Sequence, residues 1–572
     1  MPRRLAHVFA TCIILALCLL FSAACSRSTP TPLPVLTPTL TPAATPTAAP
    51  LPSATPTVSQ NIVLRIGWLG TCDPLTPFAD RPSGMDLILS LIYDRLIYHE
   101  LDNSFAPALA RNWTSPDGGT TWILNLVSDA VAHDGLPLTA QDVAFTLGLY
   151  QGHPEFSYYG SQIPAMRKIQ VTGPYSLSIA LERPVGNIEA LLYWIPLLPQ
   201  RVWAGVDVSG ATIIDEKKLV GSGPFVFVEH QPGQQITLAA NEKYWMGRPK
   251  VDRVVFKTYP SADALTEALK SGEADLILQV PVQRMAELRA APTVQVVSGP
   301  QLHLRTLLFN ASEESHSTGH PALRDPQVRL AIAHAIDRQQ LIDLVFLGQA
   351  MPGLSVVPPA LHRWFNARLV ASPFDLDEAS RILDEAGYAD KDGDGVLETP
   401  DGSTPLALRL FIPSDSTTSP REAEMIGNWL RQIGLKVNLA VLDPEALQAT
   451  CCPACDYDMI LWQQSSSTDP GFSLSTLTTA QIPSGVNKTG YSDPLYDALY
   501  KQQATIVNQT ERRQIVWRMQ EMALDQRPCL VLYYDLAIQA FRKDRFRNWL
   551  FVPNGLLSLA DERSLLQVEP LR

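Results

Sequence analysis

A segment rich in Pro and Thr, from about Thr29 to Thr57, is the feature that most limits how this chain folds. It carries no charged residue and few large apolar side chains, so it has little to bury in a core. Its prolines favour an extended, solvated backbone, which predicts a semi-rigid spacer. The 572-residue chain is thereby divided, and only the part after the spacer is long enough to form globular domains.

The part before the spacer has the order of a secretory signal peptide. Two arginines precede an apolar run from Leu5 to Phe21, and small residues follow it. An uncleaved membrane anchor needs roughly 20 apolar residues, whereas this run is short and is interrupted by His7 and Thr11. Residues 1–24 are therefore predicted to be a signal peptide.

Cys25 follows the small residues directly. The sequence Ser-Ala-Ala-Cys resembles the lipobox of bacterial lipoproteins, although Ser22 stands where Leu is usual. This resemblance implies that Cys25 is acylated and that residues 25–60 form a lipid-anchored linker. Such an anchor holds a protein on a membrane without spanning it. We therefore expect an exported protein on the outer face of the cell membrane.

Charge and cysteine content narrow the possible partners. A net charge of −12 argues against nucleic acid as a partner. The sequence Cys-Cys-Pro-Ala-Cys, in an exported protein, predicts a local disulfide from Cys451 or Cys452 to Cys455. A zinc site would need a fourth ligand, which the sequence does not offer nearby. The pairing of Cys72 and Cys529 stays open.

Apolar patterns after the spacer alternate between strands and helices. The runs "IVLRIGWLG", "TTWILNLV" and "YSLSIALERP" predict strands, and "VDRVVFKTYPSADALTEALKSGEADLILQV" predicts strand, helix, strand with Ser261 as N-cap. The segment "RDPQVRLAIAHAIDRQQLIDLVFLG" predicts a helix capped by Asp325, and "DLDEASRILDEAG" predicts one that begins after Asp375 and stops at Gly387. Strands "LALRLFI", "LKVNLAVL" and "DMILWQQ" and a helix at "ERRQIVWRMQEMAL" follow. The fold class is therefore α/β, with mixed sheets flanked by helices.

Several longer blocks occur in a characteristic order. They include "GSGPFVFVEHQPGQQITLAANEKYWMGRPKVDRVVF", "LRDPQVRLAIAHAIDRQQLIDLVFLGQAMPG", "FDLDEASRILDEAGYADKDGDG", "YDMILWQQSSSTDP" and "NKTGYSDPLYDALY". In this order they resemble the family-5 extracellular solute-binding proteins, the receptors of oligopeptide, dipeptide and nickel ABC importers. The resemblance extends over nearly everything from about residue 61 onward.

The resemblance implies a two-lobed periplasmic-binding-protein-like fold of the large class, with an extra domain and a hinge of crossing strands. The expected parts are residues 61–96, 201–305 and 536–572 for lobe I, 97–200 for its extra domain, and 306–535 for lobe II. It also implies a monomer that works with an ABC permease and ATPase. The sequence has no Gly-rich phosphate loop, so ATP hydrolysis is assigned to those partner chains.

The resemblance also indicates which residues line the ligand cleft. They are expected in the loop after the first strand, which contains Asp73, and in the segment after "DMIL". Tyr158 and Asn310 are further candidates, with a structural role as the alternative for Asn310. The turn "GSGPF" is expected to be a tight turn and not a phosphate cradle.

The residues after Trp462 bear on the kind of ligand. In peptide-binding relatives an aspartate follows such a tryptophan by three residues and pairs with the peptide ammonium, but Ser465 stands there in this chain. Because a buried ammonium without a carboxylate is costly, either Asp469 takes that role or the ligand has no free amine there. Asp469 is alternatively a turn residue before Pro470.

The stretch "DKDGDGVLETPD" matches a calcium-loop pattern. Asp390, Asp392, Asp394, Val396 and Asp401 occupy ligand positions one, three, five, seven and twelve, although Glu is usual at the last. A helix precedes the loop but a strand follows it, so an acidic surface turn is the alternative. Structural calcium is the one cofactor that the sequence suggests, and none is required for binding.

The leading function is therefore an importer receptor for short peptides or a peptide-like solute. Oligosaccharides and a nickel or other metal chelate are the alternatives within the same fold, with His316 and His320 as weak metal candidates. An exported hydrolase is disfavoured because the motifs Gly-x-Ser-x-Gly and His-Glu-x-x-His are absent. A ligand-sensing domain is a further alternative.

Overall fold

The computed structural model describes residues 61–70, 75–78, 85–100, 104–153, 163–208, 215–550 and 559–571. Residues Gln60–Arg572 form one compact unit. The predicted signal peptide, Cys25 and the spacer lie outside the described residues, as do Asp73 and Tyr158. Among the described helices, none combines the length and the apolar character that a membrane crossing requires.

The described strands, in chain order, are β1 (Val63–Leu69), β2 (Ile97–His99), β3 (Phe105–Pro107), β4 (Ala110–Thr114), β5 (Thr121–Leu126), β6 (Met166–Gly173), β7 (Ser176–Leu181), β8 (Phe225–Gln231), β9 (Gln235–Ala240), β10 (Arg253–Tyr259), β11 (Leu276–Ile277), β12 (Val294–Phe309), β13 (Ala350–Pro352), β14 (Ala407–Pro413), β15 (Lys436–Leu442), β16 (Met459–Ser465), β17 (Cys529–Arg542), β18 (Phe546–Arg547) and β19 (Glu569–Pro570).

The described α-helices are α1 (Met85–Ile92), α2 (Ala140–Gly152), α3 (Ile188–Trp194), α4 (Gln200–Trp203), α5 (Ala262–Ser271), α6 (Met285–Ala290), α7 (Pro326–Ala335), α8 (Arg338–Phe346), α9 (Leu376–Glu385), α10 (Ser419–Gln432), α11 (Pro444–Cys451), α12 (Pro470–Ser475), α13 (Pro494–Thr505), α14 (Gln509–Gln526) and α15 (Glu562–Gln567). Short 3₁₀ helices span Glu216–Lys218, Val282–Arg284, Pro321–Arg324, Pro359–Leu361 and Thr479–Gln481.

Local capping signals place several helices as predicted. The Ser261 hydroxyl accepts a hydrogen bond from the Ala264 amide at the start of α5, and a carboxylate oxygen of Asp375 does the same at the start of α9. The helix predicted to continue from Asp325 is wrong in one respect, since it divides into α7 and α8. The chain is extended at Ile336, and Asp337 then caps the second helix.

One large mixed sheet runs through the molecule. Its strand order is β15-β14-β16-β12-β17-β11-β1-β10-β9-β8, with β13 added beside β17. Strand β1 lies between β10 and β11 and is parallel to both, so α5 makes the crossover between them. A separate four-stranded sheet of order β4-β5-β7-β6 forms the extra domain.

The long strands β12 and β17 connect two lobes. They pair from Val294 to Pro300 in the first lobe and again from Leu304 in the second, with a register shift in between. The first lobe carries β1 and β8–β11, and the second carries β13–β16. Two strands that cross between lobes at an irregular point are a hinge of the kind that closes around ligands.

Each lobe has a core on both faces of its part of the sheet. On β16, Met459 and Leu461 join one core of the second lobe, while Ile460 and the half-buried Trp462 pack on the other. This alternation follows from the two-residue period of a strand. It turns Trp462 toward the face that carries α11, α13 and α14.

The two lobes also touch away from the hinge. The indole N–H of Trp194, at the end of α3, donates to the Thr468 hydroxyl at 3.0 Å. The Gly186 amide donates to the carbonyl of Ala504 at 2.7 Å. The extra domain of the first lobe therefore lies against the second lobe near the end of β16.

Candidate ligand-binding site

A cavity of about 410 Å³ lies beside the carboxyl end of β16 in the second lobe. Strand β16 pairs with β12 so that Trp462 lies opposite Thr306 and Ser465 opposite His303. The cavity lining comes from β12, β16, β17, helices α11 and α12, and the segment after α12. These lining residues are Leu308, Gln448, Trp462, Gln463, Gln464, Ser465, Phe472, Thr476, Leu477, Ser484, Gly485, Val486, Lys488, Thr489 and Cys529.

Trp462 and Lys488 form the centre of this lining. The Lys488 ammonium lies 4.5 Å from the centroid of the indole ring, a cation–π contact worth about 0.5–2 kcal/mol. The same ammonium donates to the side-chain oxygen of Gln448 at 2.9 Å and to the carbonyl of Gly485 at 3.0 Å. An oxygen from α11 and one from the segment after α12 thus hold the lysine against the ring.

The electrostatic character of the lining is neutral to positive. Lys488 is its charged side chain, and the other polar groups are amides and hydroxyls together with the thiol of Cys529. Burial raises the pKa of Cys529 to about 12, so that thiol is uncharged at neutral pH. The Gln463 amide donates at 2.6 Å to Asp535, whose carboxylate lies outside the lining and whose pKa is raised by burial.

The structure places two of the predicted binding residues together. Trp462 and Ser465 both line the cavity, and Ser465 is exposed at the end of β16. Lys488 and Gln464 were not anticipated from the sequence. Lys488 belongs to the block "NKTGYSDPLYDALY", which resembles the family, but no local pattern in that block indicates the contact with Trp462.

Asp469 does not face the cavity. Its two carboxylate oxygens accept from two guanidinium nitrogens of Arg512 at 2.5 and 2.7 Å, and one of them also accepts from the Gly471 amide. Asp469 is buried and is the N-cap of α12. The structure therefore corrects the expectation that it replaces a ligand-binding carboxylate and supports the turn alternative.

Asn310 is likewise held within the second lobe. Its side-chain amide donates to the carbonyls of Cys455 at 3.0 Å and Tyr457 at 2.8 Å, and its oxygen accepts from the Ser312 amide. Asn310 is buried. The structure corrects the ligand-binding assignment because these backbone groups occupy its donors and acceptor.

The acidic loop forms a cluster that differs in one member from the predicted set. One oxygen each from Asp390, Asp392, Asp394 and Glu398 lies within 4.8 Å of the others. Asp401 is corrected, because it instead accepts hydrogen bonds from Thr399 and Ser403. Glu398 occupies position nine of the loop and is buried. Val396 donates its amide to Asp394 at 2.8 Å, and its carbonyl as a calcium ligand stays a prediction.

The local disulfide predicted from the cysteine spacing is wrong for this structure. Cys451, Cys452, Cys455 and Cys529 are all free. The sulfur atoms of Cys451 and Cys452 lie 3.3 Å apart, and the hydrogen bond between these thiols lowers the pKa of Cys452.

The two weak metal candidates are bound to backbone groups. The His316 ring contacts the carbonyl of Pro453 at 3.2 Å, whereas the His320 ring contacts that of Pro405 at 3.0 Å and caps a 3₁₀ turn. Because their ring nitrogens are directed to different parts of the chain, the structure gives no support to a shared metal ion.

Comparisons with known proteins agree with this architecture. The family model described as "Bacterial extracellular solute-binding proteins, family 5 Middle" matches residues 104–484. The oligopeptide-binding protein AppA of Bacillus subtilis is 26% identical over 436 residues, covering 75% of this chain and 78% of AppA. Heme-binding protein A of Haemophilus influenzae is 24% identical over 486 residues, covering 81% of this chain and 85% of that protein.

A solved structure gives the same result for the fold. The structure of AppA from Bacillus subtilis in complex with a nonapeptide matches with a TM-score of 0.70 at 22% sequence identity, covering 89% of this chain and 99% of AppA. The two-lobed α/β fold predicted from the sequence is thereby confirmed.

Proposed function

The chain belongs to the bacterial extracellular solute-binding proteins of family 5, and we propose that it is the receptor of an ABC importer. In this function it captures a short peptide or a peptide-like solute between its lobes and delivers it to the membrane permease. Relatives named for oligopeptide and for heme binding support a solute receptor, and they also show that ligands vary within the family. Oligosaccharide and metal chelate are the alternative ligands.

The cavity beside Trp462 is the observation that carries this proposal. Ligand pockets usually measure about 300–1,000 Å³ and combine apolar walls with a few polar groups. The cavity of about 410 Å³ has this character and lies next to the strands that join the lobes. Closure of the lobes is then a shift toward the state in which both contact the ligand.

Native mass spectrometry of residues Gln60–Arg572, followed by denaturation, tests the proposal by identifying what co-purifies. A mixture of short peptides supports a receptor that tolerates many peptide sequences. A sugar or a metal chelate selects one of the alternatives. The receptor function is contradicted if nothing co-purifies with the protein and it shows no saturable binding of any of these solutes.

We further propose that the receptor acts as a monomer, without catalysis, beside a permease and an ATPase. The ATPase rate of the reconstituted transporter should rise when the loaded receptor is added. Recovered ligand should be chemically unchanged after prolonged incubation. Conversion of peptides or glycosides by the receptor alone would instead indicate the hydrolase alternative.

Anchoring through Cys25 is a separate proposal, supported by the lipobox resemblance and by the Pro/Thr spacer. Replacing Cys25 with alanine should abolish incorporation of an alkyne-labelled fatty acid and move nearly all of the exported protein from the membrane to the soluble fraction. Replacing Cys72, a cysteine outside the lipobox, should leave both unchanged. Retention of the Cys25→Ala variant on the membrane would contradict lipid anchoring.

We also propose structural calcium in the acidic loop, with Glu398 in place of Asp401. After treatment with EDTA, calcium at a hundredfold excess over its Kd should stabilise the protein by about 2.7 kcal/mol, measured as a rise in melting temperature. Asp392→Asn should remove most of this rise. Asp401→Asn is the matched control and should preserve it, because Asp401 lies outside the cluster. Equal responses of both variants would contradict the site.

A further inference from the structure

The cavity contains hydrogen-bond donors that have no acceptor among the described residues. Lys488 carries three N–H donors, and the two acceptors around it are Gln448 and the carbonyl of Gly485. Gln464 lines the same cavity, and its side-chain nitrogen is buried and has no hydrogen-bond partner in the described part of the chain. Buried donors such as the Gln464 nitrogen are normally satisfied. The half-buried Lys488 ammonium has a third N–H beyond its two acceptors, so the cavity that they share suits an acceptor from outside the protein.

The charge of the cavity lining indicates that the missing acceptor is an anion. None of the residues that line the cavity is an Asp or a Glu, and no described carboxylate forms an ion pair with Lys488. Its two protein acceptors are uncharged oxygens, so its positive charge is not balanced by them. The half-buried indole of Trp462 stabilises the ammonium but gives it no counter-ion.

We infer that Lys488 and Gln464 bind a carboxylate of the ligand beside Trp462, so the solute that this receptor takes is anionic at that end. The inference rests on the proposed receptor function and names the ligand class of the same cavity. The ammonium supplies a charge-assisted hydrogen bond to one carboxylate oxygen, and the Gln464 amide, two residues after Trp462 on β16, donates to the ligand's oxygens. A peptide C-terminus, an acidic side chain or a sugar acid all carry this group.

The test uses matched peptide probes that differ only in their terminal groups, and a matched pair of sugars. The protein Gln60–Arg572, a compact unit, is stripped of bound ligand and offered three versions of one mixed-sequence library of short peptides. These have a free C-terminal carboxylate, a C-terminal amide, or a free carboxylate with an acetylated N-terminus. A disaccharide with a uronic acid and its neutral counterpart form the sugar arm. Retained molecules are identified and their affinities measured by calorimetry.

We expect the free-acid peptides to bind roughly ten- to a hundredfold more tightly than the amides, the gain typical of a charge-assisted hydrogen bond. Acetylation of the N-terminus should have little effect. Lys488→Met keeps an unbranched side chain on the indole but removes the charge, and it should abolish the preference for the acid. Lys488→Arg should retain part of it. Lys501→Met removes a charge from the exposed surface of α13 and serves as the control.

The outcomes separate this inference from the receptor function. If amides and acids bind equally, or if Lys488→Met keeps the preference, the receptor stands and carboxylate recognition is overturned. If only the uronic acid is retained and its retention depends on Lys488, the peptide ligand is overturned and carboxylate recognition stands. If no probe binds, both are overturned. A purely structural Lys488 would change the melting temperature without changing the ratio of acid to amide affinity.

Discussion

Replacing Arg512 with leucine should lower the free energy of unfolding by about 3–5 kcal/mol, the usual result of removing one partner from a buried ion pair. The Arg512 side chain is 1% exposed and that of Asp469 is 8% exposed. Without the guanidinium, the Asp469 carboxylate keeps the Gly471 amide as a partner but loses both charged donors. Arg512 also donates to Gln503 and lies 4.8 Å from the Trp364 ring, so its loss disturbs the packing of α13 and α14.

Urea unfolding followed by tryptophan fluorescence measures this change. Arg518→Leu is the matched control, because Arg518 lies on the same helix and pairs with Glu521 at the surface. Such exposed pairs contribute about 0–1 kcal/mol. Combining Arg512→Leu with Asp469→Asn should recover part of the stability, since the unpaired charge is removed while a side chain that can cap α12 is kept. If Arg512→Leu and Arg518→Leu behave alike, the buried pair is not the support of this region.

The contrast between Asp469 and Trp462 shows what the sequence predicts about the site and what it does not. A local apolar pattern predicts that Trp462 and Ser465 lie at the end of a strand, because only the neighbouring residues determine that strand. The role of Asp469 depends on Arg512 and that of Asn310 on the carbonyls of Cys455 and Tyr457. These partners are distant in sequence, so no local pattern distinguishes a structural amide or carboxylate from one that contacts ligand.

The same reason explains why Lys488 was missed while much of the fold was predicted. Helices α5 and α9 are predictable because each begins with an N-cap side chain that bonds to an amide three residues later. Lys488 meets Trp462 only because α11 and the segment after α12 pack on one face of β16. The division between α7 and α8 was missed because the apolar pattern continues across Ile336, while the backbone there is extended.

Gly221→Ala should lower the free energy of unfolding by about 3 kcal/mol, because the added methyl group overpacks against the backbone of the first lobe. A Cβ atom at Gly221 would lie 2.0 Å from the carbonyl oxygen of Ile92 at the end of α1. Its backbone is not left-handed, so space and not conformation decides the effect. The sequence "GSGPF" is thus a tight turn that needs close approach of two backbones.

The surroundings of this turn leave it little room to move. The Gly221 amide donates to a ring nitrogen of His133, and its carbonyl accepts from the His133 amide at 2.8 Å. The Gly223 amide donates to the same Ile92 carbonyl at 2.9 Å, so moving the turn away from α1 would break that bond as well.

Gly148→Ala is the matched control, because Gly148 is exposed on α2 and a Cβ there meets nothing within 4 Å. That variant should gain roughly 0.5–1 kcal/mol from helix propensity. Thermal and urea unfolding of both variants measure these changes. If Gly221→Ala has the same melting temperature and urea midpoint as the wild-type protein, the end of α1 can shift to accommodate the methyl group. The turn is then not a rigid contact of the first lobe.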